Sequence, residues 1–164
     1  MDRTFYLDKF QEAADKLDKR SLAKKQLESA VGEVLDSVYL KLYKRTWASQ
    51  PGDPLTARSR IFFSIWVNDA TIKEQKLFYN IHALKLRELK GYSIQSRKFA
   101  ESFRKSFKAY AKEWPNVSVE LGPLTLMEGW VELDAADCSG PVLQLANKFI
   151  KIEQLVDETL ADFK

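Results

Sequence analysis

Ile61-Phe62-Phe63-Ser64-Ile65-Trp66-Val67 is the stretch whose reading decides the fold. Its residues are β-branched or aromatic almost throughout, and they are apolar on both alternating faces, as in a covered strand. Asn68 and Asp69 open a polar turn that runs through Gln75. Lys76 to Leu84 then predicts a second strand, with Leu77, Tyr79, Ile81 and Ala83 on one face and Phe78, Asn80, His82 and Leu84 on the other. So short a connection predicts an antiparallel hairpin.

Toward the C-terminus, Gly91 ends a turn and Ser93 or Ser96 starts a helix reaching about Glu113. Phe99, Phe103, Phe107 and Tyr110 form its buried edge, and Arg97, Arg104, Lys105, Lys108 and Lys112 gather on the other side. Pro115 and Asn116 stop it. Two further strands are predicted at Val117–Leu121 and Leu126–Leu133, joined through Gly122 and Pro123, and Gly129 marks a bulge or a close backbone approach. Ser139-Gly140-Pro141 announces a last helix with proline in its favoured first turn.

Toward the N-terminus, Pro51, Gly52 and Pro54 break regular structure. Before them, Thr4 to Lys19 predicts a helix capped by Thr4, with Phe5, Phe10, Ala13, Ala14 and Leu17 on one face. From Ser21 to Trp47 the positions Leu27, Ala30, Val31, Val34, Leu35, Val38, Tyr39 and Leu42 trace a wide apolar stripe, which predicts a long second helix with Ser21 as its cap. The expectation is one α+β domain over residues 1–164. Residues 1–47 would form a helical hairpin, and residues 59–164 a strand-strand-helix unit used twice, giving a four-stranded antiparallel sheet packed against helices.

Composition suits an ordinary folded chain: 45% hydrophobic, 30% charged and 12% aromatic over 164 residues. No run approaches the roughly 20 apolar residues of a membrane span. With no secretory signal pattern at the N-terminus and a single cysteine, the expected compartment is cytoplasmic. The net charge of +3 conceals a strong segregation: residues 1–72 carry +2, residues 73–112 carry +8 and residues 113–164 carry −7. Such a layout attracts an anionic partner, or else the acidic C-terminal part folds against the basic middle.

Three kinds of site follow from the residues. The basic helix face, with Arg97, Arg104, Lys105 and Lys108 and with Arg87 and Lys90 nearby, would neutralise phosphates, and strand aromatics would stack bases. The plainer alternative is a solvated helix face. His82, beside Asn80 on its strand face, would serve as a general base if Glu120, Glu128 or Glu132 oriented it, and otherwise is a hydrogen-bonded histidine of the sheet. Cys138, next to a helix start, would be a reactive thiolate or simply a small packing residue. Trp66 and Trp130 are pocket-lining or core aromatics. One histidine and one cysteine cannot make a Cys/His zinc site, and no nucleotide-loop, zincin or EF-hand motif is present, so no cofactor or metal is expected. The leading expectation is a non-catalytic binding module for a macromolecular partner. The alternatives are nucleic-acid binding through the basic helix and a small enzyme using His82 or Cys138. The apolar stripe of the N-terminal helices is the expected surface for a protein partner or homodimer.

Overall fold

The computed structural model describes residues Met1–Lys164. Its elements run α1 (Arg3–Asp15), α2 (Lys19–Lys25), β1 (Glu28–Val34), β2 (Ser37–Tyr43), β3 (Arg60–Val67), α3 (Asp69–Lys73), β4 (Lys76–Leu84), α4 (Ser96–Phe107), β5 (Thr125–Glu132) and α5 (Ser139–Ala161). The five strands form one antiparallel sheet in sequence order, β1-β2-β3-β4-β5. An α+β fold with helices packed against an antiparallel sheet is therefore present, with five strands in place of the four expected.

The departure lies between residues 26 and 47. The expected helix Ser21–Trp47, and with it the helical hairpin of residues 1–47, does not form. Asp18, not Ser21, caps α2, accepting hydrogen bonds from the backbone N–H groups of Arg20 and Ser21. Gln26 ends it in the left-handed conformation, with φ 60°. A two-residue turn at Leu35–Asp36 then joins β1 to β2, and Leu35 is 91% exposed at its tip. The apolar residues fit two periods at once, because Val38, Leu40 and Leu42 alternate as cleanly as the wider set follows a helix. β-Branched and aromatic content decides for strand once β3 is there to pair with. The helical stripe on which self-association rested is thus absent. The cap of α1 also moves, from Thr4 to Asp2, whose carboxylate accepts from the Phe5 N–H at 3.0 Å.

The strand-strand-helix unit is not used twice either. Residues 117–121 make a single bridge, Ser118 to Glu128, through backbone hydrogen bonds of 2.7 and 3.0 Å. Only β5 precedes α5. The Ile61–Val67, Lys76–Leu84 and C-terminal helix expectations match β3, β4 and α5 closely.

One cluster of 40 buried hydrophobic residues fills the space between the helices and one sheet face. Val38, Leu40 and Leu42 of β2, Ile61, Phe63, Ile65 and Val67 of β3, and Leu77, Tyr79, Ile81 and Ala83 of β4 point into it. Phe149 of α5 sits at its centre, stacked on Phe63 at 4.7 Å and against Trp114 at 4.8 Å. At the rim Lys44 lies 2.6 Å from both Glu153 and Asp157, and Trp47 donates to Asp157 at 2.8 Å. Burial by itself would lower the Lys44 pKa, but hydrogen bonds to Asp157 and Glu153 outweigh it and hold the ammonium above its usual value. This network ties the end of β2 to α5.

Gly129 marks a close approach, as its sequence context suggested. Tyr79, opposite it in the register, sends its hydroxyl across to donate to the Pro115 carbonyl at 2.6 Å. A Cβ at Gly129 would clash with that hydroxyl oxygen. Gly129→Ala is expected to destabilise the fold by about 2–3 kcal/mol through overpacking. Tyr79→Leu should cost less in that background than in the wild type, and urea unfolding of the four proteins in a double-mutant cycle measures the coupling.

Candidate functional site

The second face of the sheet carries no helix layer, and its side chains fall into rows because neighbouring strands are in register. Tyr39, Trp66, Phe78 and Trp130 stand directly opposite one another across β2, β3, β4 and β5. The next row is Lys41, Ser64, Asn80 and Glu128. A third begins with Phe62 and His82. A polar row thus runs between two rows of rings, with a cation at one end and a carboxylate at the other.

The rings pack on this face without a covering layer. Trp66 stacks on Phe78 at 5.1 Å, and Phe62 meets His82 at 5.0 Å. Tyr39 lies over β1 because Gly32 has no side chain; a Cβ there would come within 2.8 Å of the tyrosine hydroxyl. The floor is consequently closed to water, with Phe62 6%, Ser64 5% and Asn80 2% exposed. Above it lies a groove of about 410 Å³ lined entirely by residues of the strands and their ends.

Its polar groups are poised but incompletely paired. The Lys41 ammonium sits 4.2 Å from the Tyr39 ring centre and 4.7 Å from that of Phe62. Burial pulls its pKa down to about 8, and the neighbouring Arg60 acts in the same direction. Arg60 stacks over Phe62 at 5.5 Å, and its buried Nε has no hydrogen-bond partner. Neither cation is within ion-pair distance of a carboxylate. Asn80 donates through Nδ2 to Glu128 at 3.1 Å, which leaves its buried Oδ1 without a donor. Cations held against ring faces keep their charge for a ligand.

Of the residues expected from sequence, Asn80 and His82 come together in this groove, and Glu128 and Trp66 join them. Glu128 serves Asn80 rather than His82, whose cross-strand neighbours are Phe62 and Thr125. No carboxylate orients the imidazole, and burial, followed by the Lys41 charge, lowers its pKa to about 4. Arg104 is not on a free basic face: its guanidinium donates to the carbonyls of Leu126, Gly122 and Thr125 at 2.9–3.0 Å and clamps the start of β5. Arg87, in the turn after β4, and Arg97, Lys105 and Lys108, on α4 and its C-terminal end, are exposed, and none of them lines the groove. They pair with none of the C-terminal acids, whose ion pairs reach back to Lys25 and Lys44 instead. Cys138 is 1% exposed and its thiol is pushed up to about 11, first by burial and then by the Asp137 charge, the opposite of an activated thiolate. No group of three or more His, Cys, Asp or Glu side chains is placed to hold a metal ion.

Sequence reasoning missed Lys41, Ser64 and the alignment of the ring row, of which it had named only Trp66 and Trp130 as pocket-lining or core aromatics. The signal was present in the alternation of Tyr39, Lys41 and Tyr43 with Val38, Leu40 and Leu42, but it becomes visible only once β2 is read as a strand. A larger cleft of about 600 Å³ opens between α2 and the ends of β1 and β2. Its cations are already engaged: Lys19 by the Ala14 carbonyl, Lys44 by Glu153 and Asp157, and Arg45 by Glu28.

His82 gives this face a pH signature. Its folded pKa lies below the unfolded value of 6.5, so between about pH 6.5 and 4 the unfolded chain binds more protons and stability falls as the pH is lowered. His82→Gln should remove this contribution, narrowing the loss of stability between pH 7 and pH 4.5 by on the order of 2 kcal/mol. Urea midpoints of the two proteins at both pH values test it.

No protein-family model matches this chain, and no curated protein and no solved structure matches it, so the chemistry of the face rests on its own residues.

Proposed function

We propose that the protein is a non-catalytic binding module that holds its partner on the open face of the sheet. The observation that carries this reading is the polar row Lys41-Ser64-Asn80-Glu128 set between ring rows, with Asn80 Oδ1 and Arg60 Nε left unpartnered. Lys41, at one end of that row, has no carboxylate partner, so its charge is open to a bound anion. Flat rings with nearby cations are also the surfaces on which recognition concentrates, because they offer much contact area for little lost side-chain freedom.

Two other readings have less behind them. Nucleic-acid binding at α4 would use Arg97, Lys105 and Lys108, which are exposed and unpaired, but Arg104 is withdrawn and α4 turns its rings into the core. Catalysis would need His82 or Cys138, and neither has an activating neighbour.

Amide chemical-shift mapping with a mixture of small aromatic acids and amines tests the proposal. Perturbations are expected at Lys41, Ser64, Asn80 and Glu128, and Trp66→Ala should weaken them about fivefold or more through lost stacking. Shifts confined to α4, or none at millimolar fragment, would overturn it.

A further inference from the structure

We infer that the groove takes a nucleoside phosphate whose base presents N–H donors, guanine above all, either as a free nucleotide or as one residue of a single strand. This rests on the open face being the binding surface, and three features of that face select the ligand.

The first is shape. Ser64 and Asn80 floor a slot flanked by ring rows, Tyr39 and Trp66 in one and Phe62 in the other, with the Lys41 ammonium lying between Tyr39 and Phe62. A flat heterocycle fits such a slot, and nucleobases stack on aromatic side chains whatever their identity. The volume of about 410 Å³ lies in the range of small-ligand sites and suits one nucleotide unit rather than a folded partner.

The second is the anionic end. Lys41 and Arg60 both reach the Phe62 ring and have no carboxylate partner, so two positive charges converge without a counter-ion from the chain. Charge of that kind attracts phosphate.

The third is the donor-seeking end. The Glu128 carboxylate can accept only from a donor, which fixes the Asn80 amide with Nδ2 toward Glu128 and Oδ1 away from it. Asn80 Oδ1 is itself closed to solvent, so the acceptors open to a ligand are the second Glu128 oxygen and the remaining lone pair of the first. Guanine carries an imino N–H beside an amino group on one edge and answers both. Adenine and cytosine bring one amino group, and uracil a lone imino N–H. Lys41 and Glu128 are three strands apart, about 14 Å between backbones, so phosphate and base edge are recognised at opposite ends of one ligand. An acidic peptide would meet Lys41 and Arg60 but be repelled by Glu128.

The test is calorimetry on the full chain, at about 50 mM salt, where phosphate contacts are strong. The probes are GMP, UMP, guanosine, and two single-stranded RNA hexamers, one alternating G and A and one of U alone. GMP or the G-containing strand should bind about tenfold tighter than its uracil counterpart. Glu128→Gln should cut guanine binding by about tenfold and bring it close to the uracil value. Lys41→Ala should weaken every phosphorylated probe while leaving guanosine unchanged, and Lys41→Arg should restore them. Circular dichroism melting confirms that each variant folds, and Lys151→Glu, on the exposed outer side of α5, serves as the neutral control.

Equal affinity per site for GMP and the strand identifies the free nucleotide as the ligand, and a strand tighter by about a hundredfold identifies the polymer, through added phosphate contacts. Both outcomes support the inference. It is overturned if folded protein binds neither GMP nor the G-containing strand. It is equally overturned if binding ignores Glu128→Gln and Lys41→Ala, or disappears only with Lys105→Glu/Lys108→Glu on α4. Nucleotides failing while aromatic fragments still perturb the face would reject this ligand class and leave the binding surface standing. Failure of both would remove the two together.

Discussion

Strand alternation anchored in the core is the constraint on which the rest of this structure depends. Each strand from β2 to β4 commits one set of side chains to the cluster around Phe149, and with a period of two the other set has no choice but to face outward. A one-residue slip of any strand would turn Phe63 or Tyr79 to solvent, so the core pins the register. The register in turn aligns Tyr39 with Trp66, Phe78 and Trp130, and Lys41 with Ser64, Asn80 and Glu128. The outer rows are thus a consequence of the inner packing, and their order is as rigid as the core itself.

Polar groups divide between two roles under that constraint. Where a cation sits at the boundary of the helix layer, the structure satisfies it: Lys44 by two carboxylates, Arg104 by three carbonyls, Arg45 and Arg58 by single carboxylates. Burying such groups is tolerable only with partners. On the open face the pairing is thinner: Lys41 has no carboxylate partner, Arg60 has only the Ala57 carbonyl on Nη1 while its Nε goes unpaired, and Asn80 Oδ1 has no donor. Departures from local satisfaction concentrate where function draws on them. That contrast within one small protein is what separates the groove from the larger but internally neutralised cleft beside α2.

Legibility of the fold varied with how many periods each segment admitted. Ile61–Val67 and Lys76–Leu84 have one sensible reading, and β3 and β4 follow it. The segment from Leu27 to Leu42 satisfies a helical and an alternating pattern together, and no Gly or Asn at Leu35–Asp36 announces the turn that splits it. The Val117–Leu121 segment has strand composition, but Pro115 and Gly122-Pro123 close to either side leave room for only the bridge at Ser118. Half of the groove was within reach, since Asn80 and His82 share a face in any reading of their strand. Lys41 was not, because misreading β2 as helix places it among solvated lysines.

By itself the sequence determined the α+β class, the antiparallel pairing of β3 with β4, the amphipathic helices α1, α4 and α5, and the segregation of charge along the chain. These are local properties, set by side-chain period, turn residues and composition over a few consecutive positions. Only the tertiary structure decided that residues 28–43 are a hairpin, that Arg104 is a clamp rather than a free cation, and that Lys41, Ser64, Asn80 and Glu128 form one row. Those outcomes depend on contacts between residues tens of positions apart, where the shared burial of a whole sheet face outweighs the preference of any single segment.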